Sequence, residues 1–373
     1  MEELEKQLLS ACSSNKSIEK ARTLLQNPQI NPNCKDKSDD QTPLCIACQE
    51  GQIETVKLLL KDNRIDANQT NGHAWTPLLV ACLFGHIKIV ELLLNDERVD
   101  VNKPNNYGWT PFYAACHFEQ IEIVKLLLNN SRVDINKAND DDQTPFFAAC
   151  EEGLIEIVKL VLNNSRVDIY KGNKNGATPF LIACQKGRIE VVKSLLNDQR
   201  VDINKGNDDG QTPFFIACRN GNIGIVKLLL NDKRVGLNIT DKYDETPFLI
   251  ACDQQHIEIV KLLLSDERVD VNKPDKNSRT PFYSACKKGQ IEIVKLLLND
   301  ERVEANKTDD HGETPFGIAC EKEHFEVVQV LLTDERIDIN KALNDQTPFW
   351  IACNNGNIEI VKLLLNDQRV DIN

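Results

Sequence analysis

No stretch of this chain approaches the roughly 20 consecutive apolar residues that cross a bilayer, and its start, Met1-Glu2-Glu3-Leu4-Glu5, has neither the basic nor the apolar region of a signal peptide. Those absences argue against membrane insertion and favour a cytoplasmic protein, with the nucleus as a second compartment. An excess of basic charge is also missing. Lys and Arg total 44 against 57 Asp and Glu, a formal charge of −13, which repels phosphate backbones and anionic lipid, so nucleic-acid binding is not expected.

Motifs that carry chemistry are lacking as well. There is no glycine-rich phosphate loop, no Gly-x-Ser-x-Gly turn and no His-Glu-x-x-His helix. Neither catalysis nor a cofactor is expected. The six histidines, His73, His86, His117, His256, His311 and His324, are scattered over turns and loops without helical pairing, which argues against a metal site. Cys45 and Cys48 form the only Cys-x-x-Cys; without a second pair at metal spacing it reads as structural.

What the chain has is a period. Thr-Pro recurs from Thr42-Pro43 to Thr314-Pro315 in steps of 34 residues, and a last step of 33 reaches Thr347-Pro348. Self-similarity of this kind marks a repeat array rather than a set of globular domains. Within one repeat, Thr110 has the side-chain oxygen of a helix N-cap, and Pro111 suits the first helical position because its missing donor is not needed there. The helix continues through Phe112, Ala115 and Cys116. In seven repeats, from Gly51 to Gly356, a glycine follows where a left-handed residue would end it.

A second helix is expected over Ile121 to Asn129. Its polar residues Glu122, Lys125 and Asn129 form one narrow stripe, so its apolar remainder must be covered on two sides. Stacked pairs can do this, each repeat shielding the next. Ala115 and Cys116 are small enough for neighbouring helices to approach, and larger side chains there should cost about 1–3 kcal/mol by overpacking. Ten of the 13 cysteines hold this one place. Successive ones lie about 10 Å apart at helix-stacking distance, too far for the roughly 4.4–6.8 Å Cα separation of a disulfide. They read as buried packing residues in a reducing compartment.

Thr-Pro-Phe-x-x-Ala-Cys, then Ile-Glu-Ile-Val-Lys-Leu-Leu-Leu and Val-Asp-Ile-Asn, resembles the ankyrin repeat over essentially the whole chain. The resemblance implies an all-α fold, an ankyrin-type solenoid of stacked helix-turn-helix repeats with loops and β-turn fingers, elongated and curved. A single array over 1–373 is expected, with a diverged capping repeat at 1–38 and further units at 39–72, 73–106, 107–140, 141–174, 175–208, 209–242, 243–276, 277–310, 311–343 and 344–373. At about 10 Å per unit its length would be roughly 110 Å.

Three departures from the family pattern stand out. Its Thr-Pro-Leu-His histidine is replaced throughout, for instance by Cys45, Tyr113, Tyr283 and Trp350, so packing should take over from hydrogen bonding. The loop after the second helix is one residue longer and lacks a glycine stop. Its arginine, recurring from Arg64 to Arg369 two residues before an acid except at Gly236, reads as a solvated charge ladder worth up to about 1 kcal/mol per exposed pair. The chain stops at Asn373 inside a repeat with no polar unit after it. We therefore expect either a fragment of a longer protein or a sticky end that gives weak self-association of a monomer.

Ankyrin arrays present partners with their loop tips and the exposed side of the first helix. By that resemblance the informative positions are the three residues before each Thr-Pro and the two after each Ala-Cys. Two adjacent repeats carry large or aromatic groups there: His73, Trp75, Leu83 and Phe84, then Tyr107, Trp109, His117 and Phe118. Acids flank them, Asp39, Asp40 and Glu50 on one side and Asp141, Asp142, Glu151 and Glu152 on the other. Aromatic anchors inside a polar rim are the anatomy of a binding hot spot, although Trp75 and Trp109 packing on each other and on their own loops is the competing reading. A basic cluster, Arg279, Lys287 and Lys288, offers a secondary site for an acidic peptide or is simply solvated.

The resulting expectation is a non-catalytic protein–protein interaction scaffold that binds a basic and apolar segment of a partner on the concave face of loop tips and first helices. One alternative is the targeting part of a larger enzyme or channel whose active segment is absent from this chain. Another is a structural spacer without a specific partner.

Overall fold

The computed structural model describes residues 2–14 and 17–372. Among them are 22 α-helices in consecutive pairs and no strand; an isolated antiparallel bridge joins Leu343 and Gln346. Contacts divide the chain into two compact units, one ending at Val201 and the other beginning at Asp202. In the first, Glu2–Cys12 pairs with Ile18–Leu25, and five further pairs run from Pro43–Gln49 with Ile53–Leu60 to Pro179–Gln185 with Ile189–Leu196. In the second, five pairs run from Pro213–Arg219 with Ile223–Leu230 to Pro348–Asn354 with Ile358–Leu365. Within each unit, first helices pack on first helices and second on second.

Every Thr-Pro opens a helix as its chemistry requires. The Thr hydroxyl accepts a hydrogen bond from the backbone N–H three residues on, and Pro takes the first helical position. The turn to the second helix needs a left-handed residue. Glycine supplies it in seven repeats, and Glu119, Gln255 and Glu323 adopt φ of 55°, 58° and 61° at the other three. The Ala-Cys pair is buried in each repeat up to Ala319-Cys320, and the Phe after each Pro from Phe112 to Phe316 is buried beside it. All 13 cysteines are free thiols; Cys353 alone is exposed. Burial pushes Cys12 up to about 12 and Cys34 up to about 11, which keeps both protonated.

Several sequence expectations are corrected by the contacts between repeats. The arginine ladder is not a set of solvated pairs with the acid that follows. Where an Asp stands two residues before, as in Asp96–Arg98 and Asp300–Arg302, it is the ion-pair partner, each at 2.6 Å; Asn130 and Asn164 take that place before Arg132 and Arg166. The same guanidinium donates to the end of the preceding repeat's second helix: Arg98 to the Leu60 carbonyl at 2.7 Å, Arg166 to Leu128 at 2.6 Å and Arg302 to Leu264 at 2.7 Å. This is how the second helix ends without glycine. Its orphan carbonyls are capped by a cation from the next repeat, where the helix dipole is negative.

Packing does not wholly replace the family's missing histidine either. Tyr113 donates to Gln143 Oε1 at 3.4 Å and accepts from Asn139 Nδ2 at 3.2 Å. The Tyr283 hydroxyl lies 3.0 Å from Asp309 Oδ2 and 2.9 Å from Glu313 Oε2. One hydroxyl proton cannot serve both carboxylates at once. Burial first, and then Glu321, raise Glu313 to about 7. Three of the scattered histidines also share one task. Nε2 of His86, His256 and His324 donates at 2.9 Å to the carbonyls of Gln49, Arg219 and Lys287, bracing each repeat against the first helix before it.

Candidate interaction site: an aromatic and acidic cleft

Asparagine side chains set the loop tips. Asn71 Oδ1 accepts from the N–H of His73 and Trp75 at 3.1 and 3.0 Å, and Asn105 Oδ1 from Tyr107 and Trp109, both at 2.9 Å. Asn139 does the same for Asp141 and Gln143. Each turn passes through a left-handed residue, Ala74, Gly108 and Asp142, so the residue before Thr arrives at the same phase in each repeat. Adjacent tips touch, with the Asp140 N–H donating to the Tyr107 carbonyl at 3.2 Å. A Cβ on Gly108 would stand 2.5 Å from the Asp140 nitrogen, which leaves room for glycine alone.

Trp109 is the hub of the aromatic group. Its ring lies 4.9 Å from His117, 5.1 Å from Tyr113, 6.0 Å from Phe118 and 6.4 Å from Tyr107, centroid to centroid. All four belong to its own repeat. Beside it opens a cleft of about 560 Å³. Trp75, Tyr107, Trp109 and Phe118 supply its aromatic part, while Asp140 at the end of the same repeat and Asp141, Glu151 and Glu152 from the next supply carboxylates. Buried Tyr113, Asn139 and Ala148 form its deep residues.

The lining contains four carboxylates and neither lysine nor arginine. Three of the acids have cations outside the lining: Lys186 is 3.3 Å from Glu151, Lys174 is 3.6 Å from Asp141 and Arg188 is 3.9 Å from Glu152. Burial and then the negative charges of Glu151, Asp141 and Glu152 push the Tyr113 phenol well above its ordinary range.

The cleft thus gathers Trp75, Tyr107, Trp109, His117, Phe118, Asp141, Glu151 and Glu152. His73, Leu83, Phe84 and Asp142 lie outside its lining, and Phe84 stacks on His86 at 6.4 Å. Asp39, Asp40 and Glu50 also fall outside, so the acids that line it come from one side only. Tyr113, Asn139 and Asp140 also line the cleft, although none of them is among the three residues before a Thr-Pro or the two after an Ala-Cys; the one signal for Tyr113 in the sequence is a polar head at a site that most repeats fill with apolar groups. In the second unit, the basic cluster is partly neutralised, Lys288 lying 2.9 Å from Asp253, and Arg279 is half-buried.

Among the described residues no helix is long and apolar enough to cross a membrane. The family model described as ankyrin repeats, in three copies, matches residues 8–105, 97–171, 165–242, 233–309 and 301–373. No curated protein matches the chain. Ankyrin repeats are generally protein–protein interaction modules, and proteins built from them are typically non-catalytic. With its match running unbroken from residue 8 to residue 373 and its helix pairs returning at the same interval, the chain belongs to the ankyrin repeat family.

Proposed function

We propose that this chain is a non-catalytic scaffold whose partner docks a basic and apolar segment on the loop tips and first helices of residues 73–152, the concave face of such arrays. The cleft beside Trp109 carries the proposal. Tyr107 and Phe118 there remain 63 % and 39 % exposed, although a folded chain gains by covering aromatic surface. The carboxylates along one side of it supply a polar edge to that aromatic surface. Free thiols suit a reducing, cytoplasmic setting.

Affinity capture from the source cell with wild type and with the Tyr107→Ser, Phe118→Ser double variant tests this. Both side chains are exposed, so the thermal unfolding curve should stay close to wild type while the captured partner is lost. Equal capture by both proteins would defeat the proposal.

A further inference from the structure

The lining of the cleft narrows what can enter it. A phosphate or carboxylate would meet four carboxylates and no lysine or arginine. A purely apolar anchor would cover those carboxylates and leave them desolvated beside hydrocarbon, which is costly without a partner. A cation is therefore the class that fits, since aromatic faces and carboxylates both attract it.

Geometry separates the cations. Carboxylates only accept hydrogen bonds, so the entering group must donate. A fully methylated ammonium has no N–H to give, and a lysine ammonium is a compact, strongly hydrated charge that gains less by leaving water. The rings also do not box a sphere. Around Trp109, Tyr113, His117 and Phe118 are tilted by 36°, 54° and 60°, and the remaining lining is acidic. A planar group that lies against a ring and donates from its edge matches this arrangement.

We propose that the cleft is an arginine pocket: a partner's guanidinium stacks on the aromatic group of half-buried Trp109 and exposed Tyr107 and Phe118 and donates its edge N–H groups to Glu151, Glu152 and the neighbouring aspartates. This rests on the interaction reading above and names the side chain that anchors it. Binding should displace the surface pairing of Lys186 and Arg188, so it should weaken with added salt.

The test uses the full chain with Trp350→Phe, which leaves Trp75 and Trp109 as the reporting indoles. Four capped amino acids are titrated against tryptophan fluorescence: N-acetyl-arginine-N-methylamide and its citrulline, lysine and trimethyllysine counterparts. Arginine should bind saturably, and citrulline, equal in shape but uncharged, at least about tenfold more weakly. The Glu151→Gln, Glu152→Gln variant should lose about as much. Gln49, Gln185 and Gln254 already occupy the equivalent places, so the fold tolerates the change. Equal binding of citrulline, tighter binding of trimethyllysine, or no binding of any probe overturns the arginine assignment. If Tyr107→Ser, Phe118→Ser still abolishes partner capture in those cases, the interaction reading stands without it.

Discussion

Replacing Arg64 by Met keeps the aliphatic stem and deletes the guanidinium, which removes the inter-repeat cap together with the pair to Asp62. In the native chain Nη2 donates to the Leu25 carbonyl at 2.7 Å, and Nη1 lies 3.2–3.3 Å from the carbonyls of Asn27, Pro28 and Ile30. Nη2 and Nε also hold Asp62, at 2.6 and 3.0 Å. A hydrogen bond to a charged group contributes about 1.5–3 kcal/mol net, and a cation at a helix C-terminus about 0.3–1 kcal/mol. The bonds share one side chain that is 35 % exposed, so they do not add. We expect a total loss of about 2–3 kcal/mol.

Repeats contact mainly their neighbours, so the loss should appear locally, as easier opening of Glu2–Cys12 and Ile18–Leu25. Amide hydrogen exchange in those helices should quicken roughly 30- to 160-fold while that of Pro111–His117 is unchanged. A rise below about fivefold would mean that Arg64 is only a surface charge worth less than about 1 kcal/mol, and the cap would be refuted. The clasp should also be sensitive to acid. Arg64 holds Asp62 below its ordinary value, so its contribution is present above the unfolded value of about 3.9 and is lost as pH falls through the lower folded one.

Three further outcomes are expected. Glycine at Glu119, Gln255 or Glu323 should stabilise the array by about 1 kcal/mol each in urea unfolding, because a left-handed L-residue costs about 1–2 kcal/mol that glycine avoids; no gain at any of them would count against that strain. Glu313→Gln should raise the melting temperature at pH 8 and flatten the fall of stability between pH 5 and 8. Glu313 is raised to about 7 in the fold, so its stabilising proton is present below the unfolded value near 4.3 and lost as pH rises through the folded one. Parallel pH profiles for the two proteins would contradict this. Native-state thiol labelling should modify Cys353 quickly and the other cysteines only on unfolding; fast labelling of several would break the buried ladder.

Much of the fold was legible because one-dimensional signals have local causes. A Thr-Pro cap, a left-handed turn and a helix with one polar stripe are decided by residues within a few positions of each other. The same holds for the small Ala-Cys pair, whose burial follows from stacking. What failed were the expectations for the loop arginines and for the place of the family's histidine, where one repeat's side chain bonds to its neighbour. Arg98 and Leu60 are 38 residues apart, as are Arg302 and Leu264, and no local pattern says which of two flanking acids an arginine will hold.

Periodicity thus determined the repeat and its helix pair, while the family resemblance singled out the positions of Trp75, Trp109 and Phe118, of which Phe118 is exposed and the two indoles are half-buried. Tertiary structure decided which of those side chains share a cleft. It joined Trp109 to Glu151 and Asp141 from the next repeat and left Phe84 against His86. It also gathered Tyr283, Asp309 and Glu313 into one buried cluster. Stacking distance and side-chain reach between neighbouring repeats set those encounters, and both are properties of packed surfaces rather than of sequence spacing.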